Sequence, residues 1–201
     1  MSGFNLSKGS SFNLSKELPS LKVAGVGLGW NSTADLDVSA FCIGQDDHIP
    51  EMSDLVYFNS NLKQVLDGED APRPYSTDSG VYGAIDELEG DEDDDGDDED
   101  MWIYFDRIAD NIKEVVIVVT IHQEGDSLTK FNEVSGCYGR IWDQESDKEL
   151  CRYTLGDEFG SFDAVEVGKF TRSGNDWSFT AIGKGHEGGL MALIKKYAYR
   201  F

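Results

Sequence analysis

The sequence predicts a mainly β protein, a two-sheet β-sandwich with one short C-terminal helix. Short alternating or continuous apolar segments recur along the chain, separated by Gly, Ser, Asn and Asp. Only the last segment carries a helical period, in Leu190, Leu193, Ile194 and Tyr197, introduced by Gly188 and Gly189. At 201 residues the chain can bury one sizeable core. A single domain over 1–201 is therefore expected, with a long acidic loop at about 66–100.

Taken in order, FNLSK occurs at Phe4–Lys8 and again at Phe12–Lys16 with a Gly-Ser turn between, which reads as a hairpin or bent strand pair. Leu21–Trp30 is a strand whose glycines at 25, 27 and 29 leave room for close backbone approach. Its G-x-G fragment is not a nucleotide loop, because no helical pattern follows. Along Asp35–Ile43 the apolar Leu36, Val38 and Ala40 share one face, so Asp35 and Asp37 point together from the other. Leu55–Phe58 is a short strand, and residues 60–90, with Pro72, Pro74 and several glycines, read as loop. Met101–Phe105 and Lys113–His122 are buried strands, the second central in its sheet and ending on His122, a possible ligand. Phe131–Trp142, Glu149–Leu155, Ala164–Thr171 and Asp176–Ile182 complete the strands, with Ser173-Gly174-Asn175 marking a hairpin.

Composition narrows the function. A formal charge of −22 disfavours direct contact with DNA, RNA or anionic membranes and leaves metal ions and basic proteins as partners. No apolar run approaches the ~18 residues needed to span a bilayer, so a soluble, cytoplasmic protein is expected without membrane insertion. Cys42, Cys137 and Cys151 stand singly in apolar segments and read as buried reduced thiols.

The segment Asp86–Asp100 holds acidic side chains at nearly every position and no Lys or Arg. Carboxylates held this densely repel one another, so the run either stays disordered or binds cations. Because Met101–Phe105 follows at once, the last acids are tethered to a sheet rather than set on a free tail. Asp91, Asp93 and Asp95 before Gly96 form D-x-D-x-D-G, in which alternate carboxylates converge on a hard cation while the glycine allows a sharp turn. Trp102 occupies the position where an EF-hand needs its bidentate Glu, so calcium loops on a β scaffold are expected instead, with Asp35 and Asp37 a second source of ligands.

Nine segments in matching order resemble the TerD family of tellurium-resistance and stress proteins. They are FNLSKGSSFNLSKE at the start, VGLGW at 26–30, DLDVSAF at 35–41, FNSNLK at 58–63, DGDDE at 95–99, VVTIH at 118–122, FNEVSG at 131–136, RYTL at 152–155 and GHEGGLMAL at 185–193. The resemblance implies a β-sandwich with acidic calcium-binding loops at one end, two bound calcium ions (Ca2+), and a role in tellurite and stress resistance without an established catalytic activity. Carried over by motif, its acidic positions fall on Asp35, Asp37, Asp78, Asp97, Asp98 and Glu99. Thr33, Ser79 and Gln123 depart from the family pattern, which has an acid, Asn and Asp there, so one site is open to alteration. Asp91, Asp93 and Asp95 could then supply replacement ligands.

The expected function is that of a calcium-binding, non-enzymatic interaction module working with other proteins of a stress-response assembly. Two alternatives stand beside it. One is an acidic chaperone-like protein that sequesters a basic partner through the acidic run. The other, less favoured, is a metal-dependent hydrolase using the carboxylates with His122 or His186, for which neither H-E-x-x-H nor a phosphate loop is present.

Overall fold

The structure, a computed structural model, describes residues 4–5, 9–90, 96–123, 129–155 and 159–198. Two six-stranded sheets face each other. Sheet A runs β1 (Phe4–Asn5), β12 (Lys148–Thr154), β11 (Tyr138–Asp143), β3 (Val23–Gly29), β9 (Glu99–Tyr104), β8 (Val81–Tyr82). Sheet B runs β2 (Ser11–Asn13), β14 (Asp176–His186), β13 (Ala164–Ser173), β10 (Ile112–Ile121), β4 (Leu36–Gly44), β5 (Leu55–Val56). A two-stranded ribbon, β6 (Lys63–Val65) and β7 (Pro72–Pro74), stands apart. The two-sheet sandwich expected from the sequence is thus present.

Between the sheets lies the main core, drawn from alternate positions: Val26 and Leu28 of β3, Met101 and Ile103 of β9, Leu36 and Val38 of β4, Ile117 and Val119 of β10. Intervening residues of β4 and β10, among them Phe41, Ile43, Val116 and Val118, form a second apolar layer on the far face of sheet B. After the single-turn helix α1 (Leu14–Glu17), the C-terminal helix α2 (Gly189–Tyr197) covers that layer with Leu190, Leu193, Ile194 and Tyr197. Burial on both faces explains why β10 reads as an uninterrupted apolar run.

Polar contacts pin α2 at both ends. At its start the Asp163 carboxylate accepts a hydrogen bond from the Gly189 N–H (2.9 Å) and pairs with Lys130 (2.7 Å). At its end the buried Glu166 of β13 accepts from Lys196 (2.7 Å) and the Tyr197 hydroxyl (2.8 Å) and pairs with His186 of β14 (2.6 Å). Asp163→Ala removes the cap. It is expected to cost about 1–2 kcal/mol in urea unfolding, with faster amide exchange confined to α2.

Three expectations are corrected. The two FNLSK copies do not pair with each other, because β1 joins β12 in sheet A while β2 joins β14 in sheet B. The two copies thus lie in different sheets, which a repeat in the sequence cannot reveal. Phe131–Glu133 is a 3-10 turn, and the strand begins only at Tyr138. Residues 60–90 are also more than loop, since they hold the β6–β7 ribbon and β8. A two-stranded ribbon tolerates Pro72 and Pro74, as it has no further strand to bond. Arg73 between them is buried, pairs with Glu69 and Asp100 (2.7 Å), donates to the Gly83 carbonyl and stacks on Trp102 (4.4 Å). That anchor fastens the segment to sheet A.

The glycines at 25, 27 and 29 admit side chains rather than backbone. A Cβ there would meet the Trp142 ring at 2.2 Å, the Asp97 carboxylate at 2.1 Å and the Tyr138 ring at 2.5 Å. No residue with a Cβ leaves that room.

Candidate metal centre

Sheet geometry brings three carboxylates together at one edge of the sandwich. β4 and β9 are the penultimate strands of their sheets and approach each other there. β5 pairs only with Ala40 and Phe41, so the upstream edge of β4 lacks a strand neighbour. Glu99 occupies the vacant side. It stands in the inward row of β9 with Met101 and Ile103, and one carboxylate oxygen accepts from the Val38 N–H at 2.8 Å. Its other oxygen accepts from the Glu87 N–H at 3.4 Å, tying down the loop after β8.

Asp37, next to Val38 on the opposite face of β4, and Asp86, in that same loop, complete the group: one oxygen from each of Asp37, Asp86 and Glu99 lies within 4.8 Å of the others. Asp37 and Glu99 are each only 3% exposed, whereas Asp86 is exposed. Among the described residues no Lys, Arg or His forms an ion pair with any of the three.

Electrostatics follow from burial without a cation. Desolvation, then the charges of Asp35 and Asp86, push the Asp37 carboxyl from its ordinary 3.8 up to about 7. Burial likewise drives Glu99 well above the usual carboxylate range, with Asp37 adding to it and the Val38 N–H opposing it. Two full charges at 4.8 Å repel by about 3 kcal/mol at an effective dielectric of about 20. Neutral pH therefore leaves the group needing a proton or a cation. The donors are all carboxylate oxygen, which suits a hard divalent ion such as calcium.

The residues expected from the sequence divide. Asp37 and Glu99 belong to the group, and Asp35 stands close enough to raise the Asp37 carboxyl. Asp97 is placed elsewhere: it lies over Gly27 on the outer face of sheet A, paired with Arg140 (2.8 Å) and accepting from the Tyr138 hydroxyl (3.1 Å). Asp98 accepts from the Trp30 N–H at 2.8 Å. Asp78 closes its own turn, accepting from Ser76 and the Gly80 N–H, and reaches the Ala109 N–H at 2.7 Å. Asp91, Asp93 and Asp95 lie outside the described residues. One group of three carboxylates is thus found among the described residues, where the resemblance led to an expectation of two ions.

Asp86 is the ligand candidate that sequence reasoning missed. It opens the acidic run, but its motif signal is no stronger than that of its neighbours, and it takes the Glu87–Glu99 hydrogen bond and the Gly90 N–H on the Ser32 carbonyl to show that the loop folds back. The departures also acquire physical roles. Ser79 holds φ 58°, a left-handed backbone that Asn adopts more readily, so the departure concerns a turn. Gln123 bonds both N–H and C=O of Thr129 at 2.9 Å.

Since Asp97 already has Arg140 as its counter-ion, Asp97→Asn is expected to change calcium affinity at the Asp37 group less than about tenfold. Burial raises the Asp97 carboxyl above its ordinary value even with Arg140 and Tyr138 opposing, so the lost pair should change stability by about 1 kcal/mol or less. Calorimetric titration and urea unfolding of the one variant check both.

Comparison with known proteins gives a consistent picture. A family model described as the TerD domain matches residues 2–197. The chain is 36% identical over 199 residues to the uncharacterized protein YceE of Bacillus subtilis (strain 168), covering 96% of each. It is 32% identical over 199 residues to the tellurium resistance protein TerD of Serratia marcescens, again covering 96% of each. With the general stress protein 16U of Bacillus subtilis (strain 168) it shares 30% over 200 residues, 96% of each chain. Among solved structures, a homologue of telluride resistance protein (TerD) from Streptomyces coelicolor A3(2) matches with a TM-score of 0.68 at 20% identity, covering 90% of this chain and 98% of that one.

Proposed function

Because the chain belongs to the TerD domain family, a tellurium-resistance and general stress-response family, we propose that it is a calcium-binding, non-enzymatic module that meets its protein partners through loops ordered by the metal. The observation that carries this reading is the Asp37, Asp86 and Glu99 group, two of whose carboxylates are buried with no cationic side chain among the described residues paired to them. Asp37 and Glu99 would hold the ion from the two sheets. Asp86 would bring the loop after β8 onto it, and backbone carbonyls and water would complete the six to eight oxygens that calcium takes. Bound calcium supplies the positive charge that these carboxylates lack. Its stabilising effect would reach both sheets and the loop after β8 together, and so shape the surface offered at that end of the sandwich.

Calcium titrated calorimetrically into chelator-treated protein, with magnesium as control, tests the reading. At least one equivalent of calcium should bind, with magnesium weaker. A featureless calcium titration, together with a melting temperature unmoved by calcium, would end the proposal.

A further inference from the structure

Beside the metal centre, a separate cleft of about 300 Å3 opens at the same end of the molecule, lined by Thr33, Ala34, Asp35, Leu88, Glu89, Ile121, His122 and Thr129. We propose that this cleft receives the cationic side chain, lysine or arginine, of a partner protein. Its lining divides by chemistry. Ala34, Leu88 and Ile121 offer an apolar wall to a hydrocarbon stem. Asp35 and Glu89 supply two carboxylates for a positive head, and the Thr33 and Thr129 hydroxyls can accept hydrogen bonds. The mixed lining suits a cation carried on an apolar stem better than a bare ion. Among the described residues, the only His, Cys, Asp and Glu side chains whose donor atoms converge within 4.8 Å in a group of three are Asp37, Asp86 and Glu99. Asp35, Glu89 and His122 do not form such a group, and the apolar share of the lining suits an occupant that carries its charge on a hydrocarbon stem.

Two features at the rim favour a protein side chain over a free amine. Leu88 is 60% exposed, an apolar surface that a free amine would leave wet and that the residues flanking a bound lysine would cover. His122 sits edge-on to Phe58, with ring centroids 5.6 Å apart, and extends the apolar and aromatic surface from the cleft toward β5. The net charge of −22 adds long-range attraction for a basic partner. None of the three carboxylates proposed for calcium lines the cleft, so this site does not depend on that reading.

The test uses the full chain and records amide chemical shifts by NMR, in saturating calcium and again in chelator. The probes are N-acetyl-lysine methylamide, its neutral analogue N-acetyl-norleucine methylamide, n-butylamine, and a short peptide with one lysine flanked by leucines. Lysine methylamide is expected to shift Asp35, Leu88, Glu89 and His122 at millimolar concentration, with norleucine at least about tenfold weaker. The peptide should bind more tightly than butylamine. Glu89→Gln should weaken the lysine response at least about threefold while leaving the calcium titration unchanged, and His122→Ala should weaken the peptide more than the methylamide. An equal response to norleucine, or no shift at these four residues in either metal condition, overturns the site. Butylamine binding as tightly as the peptide overturns the protein partner. Because the measurement runs with and without calcium, failure of the metal reading alone would leave the lysine shifts in place.

Discussion

Replacing Asp37 with Asn and Glu99 with Gln should make the metal-free protein more stable and, in the same molecule, abolish the stabilisation that calcium gives. Both side chains are 3% exposed and lie within 4.8 Å of each other through their oxygens. Their amide isosteres keep the volume and keep an acceptor for the Val38 N–H, but remove both the buried charge and its repulsion. In chelator the double variant should gain about 2 kcal/mol in urea unfolding. Wild-type protein at about one hundred times its dissociation constant should gain about 2.7 kcal/mol from calcium, and the variant should gain none. The sign reversal identifies a binding site, because carboxylates with a merely structural role would destabilise when neutralised. A variant weaker than wild type in chelator, yet still stabilised by calcium, would remove Asp37 and Glu99 from the site.

How much of this could be read from the chain follows from which interactions are local. The alternation in β4, the apolar run of β10 and the 3.6 period in α2 are properties of contiguous residues, and they predicted those elements. Asp37 was accessible for the same reason, since it belongs to a patterned strand, whereas Glu99 was reached only through the motif resemblance. Pairing between distant segments was not legible. Nothing in FNLSK says that one copy joins sheet A and the other sheet B, and nothing near Pro72 says that the residue after it will be buried against Asp100 and Trp102. Asp97 and Asp86 show the same limit inside the acidic run. As sequence they are equivalent, but the space above Gly27 and the reach of Arg140 take Asp97 to the outer face of sheet A, whereas Glu99 draws the loop bearing Asp86 inward. Charge density pointed to the region, and the sheets decided which acids meet.

The metal-free protein should be most stable near pH 5 and lose stability as the pH rises toward 7, the reverse of ordinary acid unfolding. For Asp37 the folded carboxyl titrates near 7 against an ordinary 3.8, so between these values the native state holds a proton that the unfolded chain has released. Where the native state binds more protons, stability falls with rising pH, and the loss is complete only above about pH 7. For Asp37 alone the span from 3.8 to about 7 corresponds to about 4 kcal/mol. Glu99, raised by burial, acts in the same direction. On the acid side the sign is opposite. Lys130 and the Gly189 N–H hold Asp163 below its ordinary value despite burial, and Lys196 and Tyr197 do the same for Glu166, so their contributions vanish as the pH falls through the carboxylate range. The two slopes together leave a maximum between them. Saturating calcium should flatten the upper slope, because metal binding displaces the protons that the native state would otherwise hold, and the calcium-induced gain should be larger at pH 7.5 than at pH 5. Urea midpoints measured across pH 4 to 8, in chelator and in calcium, decide it. A chelator curve that climbs steadily from pH 5 to 7.5 would mean that Asp37 and Glu99 are ionised and compensated without metal, and the carboxylate group would lose its claim to be a cation site.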